Sequence, residues 1–298
     1  MQSMKMVFYN LAGWVKNRSS GIAVLLCLFF PITSAQAVEV RLPTGIIASA
    51  NFLEGRPTQP AVLLLHGFLQ TDHSEPMNSL ALNLHSKGYT TLSPTISLGV
   101  NQRKQSMACE AVHTHTIADG VAEVAYWVNW LSQKGYKNIV LIGFSSTGNN
   151  EVLLFNAQGA HPAIKKSILV SPNPAFQNRA EFQKIRSADA KRNSDARKLG
   201  IFSLGYCKNN FASTAKSYLS YAQYDNTNYL KLIRQTPVET EVIIGSADTI
   251  LPANWISQIK ALKTRVTIID KGTHFFDGSA EFDLADKVEY ALKNIPAD

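Results

Sequence analysis

Apolar residues recur along this chain in two alternating rhythms. Short, largely apolar runs stand at 61–65, 89–92, 138–142, 167–170, 241–244 and 266–270. Their length and their Val and Ile content predict strands. The run at 61–65, Ala-Val-Leu-Leu-Leu, has no polar side chain and predicts a parallel strand covered on both faces. Between these runs lie segments with helical spacing, at 75–87, 116–134, 149–158, 253–262 and 280–293. The clearest is 116–134, where Ile117, Val121, Val124, Val128 and Leu131 form one apolar stripe and Gly135 ends the helix. Ahead of them, 38–42 and 46–52 flank a Pro-Thr-Gly turn and predict an edge hairpin. Strand and helix in alternation predict an α/β fold: a doubly wound, mostly parallel sheet with helices on both faces.

The alternation fails between about 172 and 235. That segment is polar and helical to about 198. It then becomes rich in aromatics, with Phe202, Tyr206, Phe211, Tyr218, Tyr221, Tyr224 and Tyr229. It is expected to be an inserted helical cap, with most of these aromatics forming its core.

The N-terminal 37 residues have a different character. Lys5, Lys16 and Arg18 precede an apolar run at 21–32, and Ala35-Gln36-Ala37 offers a small-residue cleavage site. These features predict a secretory signal peptide cut after Ala37. The run is short and broken by Pro31, so no stable membrane anchor is expected after cleavage, and Cys27 lacks the small residue before it that lipid attachment would need. The folded domain would then be 38–298, long enough for one α/β domain with an insertion. Its location would be periplasmic or secreted. The full chain carries a net charge of +7, which falls to +4 without the three basic residues of the leader. Seven basic residues between Arg179 and Lys198 are interleaved with acids and read as a solvated helical surface. An exported chain with no basic-aromatic platform is not expected to bind nucleic acid. Two cysteines remain, Cys109 and Cys207, and in an oxidising compartment an even pair predicts one disulfide.

In a parallel α/β sheet ligands sit at the carboxyl ends of the strands. The run at 138–142 leads into Gly143-Phe144-Ser145-Ser146-Thr147-Gly148 and then into a helix. A serine at such a corner has an exposed hydroxyl in a strained turn. The spacing departs from Gly-x-Ser-x-Gly. With Ser145 at the centre, Thr147 occupies the second glycine's place; with Ser146, Phe144 occupies the first. Ser145 is preferred, because Gly143 closes the strand directly before the turn. The run at 241–244 leads into Gly-Ser-Ala-Asp248, and the run at 266–270 into Lys-Gly-Thr-His274. The order is Ser, Asp, His.

With His66-Gly67 after the strand at 61–65, these motifs resemble the α/β-hydrolase superfamily, in the manner of its esterase and serine-aminopeptidase-like branch. The resemblance extends over nearly all of 38–298, the cap excepted. It implies Ser145 as nucleophile, His274 as general base and acid, and Asp248 as the carboxylate that orients and stabilises the imidazole. It also implies an oxyanion hole from the backbone N–H groups of Phe68 and Ser146. Asp270 is a rival acid that more simply ends its strand, Asp248 could instead cap a helix, and His66 reads as a structural histidine. Cys109, Glu110, His113 and His115 contain a His-x-His pair, but a full ligand set for a metal is lacking. They are expected to form a loop at the site mouth, with a histidine touching substrate or cap. The expectation is an exported serine hydrolase acting on a carboxylic ester, with no cofactor and no metal. Its partner would be a small-molecule ester or amide. A peptidase-, amidase- or thioesterase-like hydrolase is the alternative within enzymes. A non-catalytic binding protein on the same fold is the alternative outside them.

Overall fold

The computed structural model describes residues 36–159, 161–174, 179–191, 198–262, 264–293 and 295. The body of the expected leader lies outside them. Strand β1 (Gln36–Arg41) begins two residues before the expected mature start and pairs antiparallel with β2 (Ile47–Leu53). This is the edge hairpin. Six further strands complete the sheet: β3 (Ala61–Leu65), β4 (Thr90–Thr95), β5 (Ile139–Phe144), β6 (Ile164–Val170), β9 (Thr240–Gly245) and β10 (Arg265–Ile269). Their order across the sheet is β1-β2-β4-β3-β5-β6-β9-β10, and every pairing from β4 onward is parallel.

Alternate residues of the central strands serve opposite faces. Leu63, Leu65, Ile139 and Leu141 belong to one core with helices α2 (Ile117–Gln133) and α3 (Ser145–Ala157). Val62, Leu64, Val140 and Ile142 belong to the other, with α1 (Met77–Ser86) and α8 (Ala280–Leu292). Both faces are covered, which is why these strands lack an alternating polar pattern. Helix α2 keeps the expected bounds to within a residue. Thr116 caps it, accepting from the Asp119 N–H while Asp119 accepts from the Thr116 N–H.

The inserted segment is not wholly helical. After α4 (Arg179–Lys191) it forms an antiparallel hairpin, β7 (Leu199–Leu204) and β8 (Cys207–Thr214), before α5 (Ala215–Ala222) and α6 (Asn226–Gln235). The polar and aromatic residues of 199–214 hid this strand pair. Exposed Leu199 and Ile201 alternate with Phe202 and Leu204, which are buried, over too few residues to outweigh the polar background. Phe202, Phe211, Tyr218, Tyr221 and Tyr229 are buried, as expected of a cap core, whereas Tyr206 at the hairpin turn is exposed.

Cys109 and Cys207 form a disulfide, with Cα atoms 5.6 Å apart and a sequence separation of 98. It joins the loop after β4 to the hairpin. Closing so long a loop restricts the unfolded chain most. The Cys109→Ser/Cys207→Ser protein is therefore expected to lose about 2–5 kcal/mol of stability. Denaturant melts of the oxidised wild type and the double variant measure it.

Candidate active site

Backbone strain collects at one edge of the sheet. Leu69, Leu98, Ser145, Ser171, Lys271 and Phe276 are non-glycine residues with φ between 44° and 58°. They follow β3, β4, β5, β6 and β10, all at carboxyl ends. Such conformations cost about 1–3 kcal/mol each and persist where the surroundings over-determine them.

Ser145 stands at the corner between β5 and α3 with φ 57°. Two glycines let the corner form. A Cβ on Gly143 would lie 2.6 Å from the Gly148 carbonyl oxygen and 2.7 Å from the Asn149 backbone. A Cβ on Gly148 would lie 2.6 Å from the carbonyl oxygens of Leu65 and His66 at the end of β3. The close approach that needs a second glycine thus falls at Gly148, and Thr147 is buried without obstructing the turn.

Ser145 Oγ is 2.9 Å from His274 Nε2, and His274 Nδ1 is 2.7 Å from Asp248 Oδ2. The imidazole is 5% exposed and the carboxylate fully buried. Nδ1 facing a carboxylate carries the proton, which leaves Nε2 free to accept. The loops bearing Asp248 and His274 are locked together. The Ala247 N–H donates to the Gly272 carbonyl and the Lys271 N–H to Ser246 Oγ. A Cβ on Gly245 would fall 2.0 Å from the Gly272 oxygen, so this contact also demands glycine. Asp248 caps no helix: α7 (Trp255–Lys260) starts from Asn254, and the second Asp248 oxygen accepts from the Ile250 N–H. The rival Asp270 is exposed and accepts from Ser246, away from the imidazole.

The loop after β3 is fixed by its own side chains. The Gly67 N–H donates to Gln70 Oε1 and the Ile96 N–H to His66 Nε2. His66 Nδ1 lies 2.8 Å from the Gly67 carbonyl, so that nitrogen is the protonated one. Burial, with the Arg103 guanidinium nearby, lowers the His66 pKa to about 3, so the ring stays neutral and structural. The buried Arg103 guanidinium bonds the carbonyls of Ile96, Gln105 and Gln70. The Phe68 N–H has no acceptor among the described residues, and the Ser146 N–H lies in the first turn of α3, where no intrahelical partner exists. The Phe68 ring is held by Tyr206, Phe211 and Tyr221.

His113 and His115 are buried. Tyr221 Oη is 2.7 Å from His115 Nδ1, His113 stacks on Phe211, and His113 Nε2 meets the Ala108 carbonyl. They anchor the disulfide-bearing loop to the hairpin and α5. Among the described residues, no group of three or more side chains is arranged to hold a metal ion. A cavity of about 490 Å³ lies between α2 and the β1–β2 turn, lined in part by Ser97, Asp119 and Glu123, and contains neither Ser145 nor His274.

Within α3, Glu151 is fully buried, and neither carboxylate oxygen has a hydrogen-bond partner among the described residues. Burial, and then the nearby Glu123, raise its pKa well above the ordinary value. A raised folded-state pKa contributes stability that is fully present below the unfolded value of 4.5 and is lost as pH rises toward the folded value. Glu151→Gln is therefore expected to match wild type near pH 4.5. It should become the more stable protein with rising pH, by about 1.4 kcal/mol per unit until the folded value is reached. Thermal melts of both proteins at pH 4.5 and 8 check this.

The segment after β6 contributes a group that the sequence pattern does not reveal. The Ser145 hydroxyl donates to Asn173 Oδ1 at 3.2 Å, and Asn173 is buried. Its only sequence signal is position, just past a strand end.

No family model and no curated protein matches this sequence. Solved structures are similar to it in fold. The thioesterase domain from the curacin biosynthetic pathway is 17% identical with a TM-score of 0.61, covering 86% of this chain and 99% of its own. Est1E from Butyrivibrio proteoclasticus is 16% identical with a TM-score of 0.60, covering 87% and 98%. The α/β hydrolase GrgF from Penicillium sp. sh18 is 14% identical with a TM-score of 0.67, covering 89% and 100%.

Proposed function

We propose that this chain, which has the α/β-hydrolase fold, is an exported serine hydrolase that cleaves a carboxylic ester through an acyl-enzyme. The observation that carries this reading is the hydrogen-bonded line from Ser145 Oγ through His274 to Asp248, with contacts of 2.9 and 2.7 Å. A serine hydroxyl is a weak nucleophile unless a base adjoins it. Here His274 Nε2 takes the proton as Oγ attacks the carbonyl carbon, and later returns it to the leaving alcohol. Asp248 stabilises the imidazolium formed between these steps. The N–H groups of Phe68 and Ser146 receive the oxyanion. A binding protein without catalysis is disfavoured, since the hydroxyl lies within hydrogen-bonding reach of the imidazole.

Export is supported by the leader-like N-terminal sequence and by the disulfide. Among the described residues no helix is long and apolar enough to cross a membrane. Exposed Phe275 beside His274, and exposed Tyr206 against Phe68, give the site apolar borders. These suit a partly apolar acyl or alcohol group. A thioester is the second reading, because one structural neighbour is described as a thioesterase domain. Matched panels of p-nitrophenyl esters, acyl thioesters and aminoacyl amides decide between them. Esters are expected to give the highest kcat/KM; preference for thioesters or amides would move the substrate class.

A further inference from the structure

Three consecutive residues after β6 tie the site together. The Ser171 hydroxyl donates to the His274 carbonyl at 3.0 Å. The Pro172 carbonyl accepts from the buried Trp255 indole N–H at 2.6 Å, which links it to the element that follows the Asp248 loop. Asn173 then meets the Ser145 hydroxyl. Ser171 has φ 44°, and its N–H donates to the Ile243 carbonyl, so the backbone leading to Asn173 is fixed at both preceding residues.

We propose that Asn173 is a second working partner of the Ser145 oxygen. At rest its carboxamide oxygen shares the serine hydroxyl's hydrogen bond with His274 Nε2; during turnover, after a half-turn about its terminal torsion, the carboxamide donates an N–H to the same oxygen. This rests on Ser145 being the nucleophile. Ser145 Oγ has one hydrogen to share between two neighbours, His274 Nε2 at 2.9 Å and Asn173 Oδ1 at 3.2 Å. With Nδ1–H given to Asp248, Nε2 can only accept. If the serine proton goes to Nε2, an amide oxygen facing Oγ sets lone pair against lone pair. A half-turn replaces that oxygen with Nδ2–H, which a carboxamide does within the same volume. While the hydroxyl points at Asn173 Oδ1, the base is unpaired and attack is not primed.

The step balances with the ester and water as the only reactants. On attack the Oγ–H bond breaks and the Oγ–C bond forms, the proton passes to His274 Nε2, and the carbonyl electron pair moves onto its oxygen. The carbonyl re-forms as the bond to the alcohol breaks, and the alcohol leaves with the proton from His274. Oγ is then an ester oxygen without hydrogen, and Asn173 Nδ2–H is its donor. On deacylation water attacks the acyl carbon and gives a proton to His274, the C–Oγ bond breaks, the acid leaves, and Oγ recovers the proton from His274. The amide neither gains nor loses a proton.

The test uses the purified protein on a p-nitrophenyl ester, with Asn173→Ala and Asn173→Asp. Loss of one hydrogen bond to the reacting oxygen should lower kcat of Asn173→Ala about tenfold, with KM unchanged to within about twofold. Asn173→Asp offers only acceptors and adds a negative charge near the imidazolium. Its kcat should fall at least as far, and the acidic limb of its kcat/KM profile should move to higher pH. Wild-type kcat and an unmoved acidic limb in both variants would overturn the inference while leaving Ser145 as nucleophile. So would a fall in activity that only tracks the folded fraction, measured by thermal melts. A wild type inert toward ester and fluorophosphonate alike would instead remove the serine-hydrolase premise itself.

Discussion

Ser145→Ala is expected to lower ester hydrolysis by about 10⁶-fold, the scale seen where a serine nucleophile is removed from an intact triad. The expectation follows from connectivity. Ser145 Oγ is the oxygen that meets His274 Nε2, and no other hydroxyl among the described residues does so. Alanine keeps the helix start at α3 and keeps the N–H groups of Phe68 and Ser146, so the folded site would still bind substrate. Residual turnover would come from those donors and from binding alone. Ser146→Ala, by contrast, should stay within a few-fold of wild type. The Ser146 side chain is buried and its proposed contribution is its backbone N–H, which alanine retains. Steady-state rates on one chromogenic ester, with circular dichroism to verify folding, compare the three proteins.

Asp248→Asn is expected to lower kcat by about 10⁴-fold. The carboxylate accepts a hydrogen bond from His274 Nδ1–H at 2.7 Å in a fully buried position. An asparagine can present its N–H2 to Nδ1, which drives the imidazole proton to Nε2. The ring then faces Ser145 with a proton where it should face it with a lone pair. The amide also cannot stabilise the imidazolium formed on attack. Substrate contacts are untouched, so KM should change little while kcat collapses. Asp270→Asn should leave kcat unchanged, since Asp270 is exposed and bonds to Ser246 Oγ. The pair of variants separates the two acids that the sequence leaves in competition.

The layered fold was legible because each central strand is short, apolar and followed by a helical stripe, as 116–134 shows most clearly. Ser145, Asp248 and His274 were legible for a related reason. Each stands directly after such a strand, so local position alone brings the three to one edge. Thr147 misleads because the glycine rule is a rule about contact. The requirement is room for the end of β3, and in this chain that room is needed at Gly148, where Leu65 and His66 approach. The hairpin at 199–214 was hidden by its polar surface and short length. Asn173 and the Arg103 clamp were hidden for a deeper reason. Asn173 meets Ser145, 28 residues away, and Arg103 reaches back to the Gln70 carbonyl, 33 residues away, and no periodicity or spacing links these pairs. Cys109 and Cys207 could be paired by counting alone, whereas His113 and His115 needed the cap to be seen against them.

Labelling with a fluorophosphonate probe, followed by peptide mass mapping of the adduct, tests most directly whether Ser145 is an activated nucleophile. The reagent reacts with a serine only when a base and an oxyanion hole activate it. Stoichiometric labelling of the folded wild type on Ser145 is predicted, retained in Ser146→Ala and lost in Ser145→Ala. An unlabelled, folded wild type, or an adduct on Ser146, would contradict it.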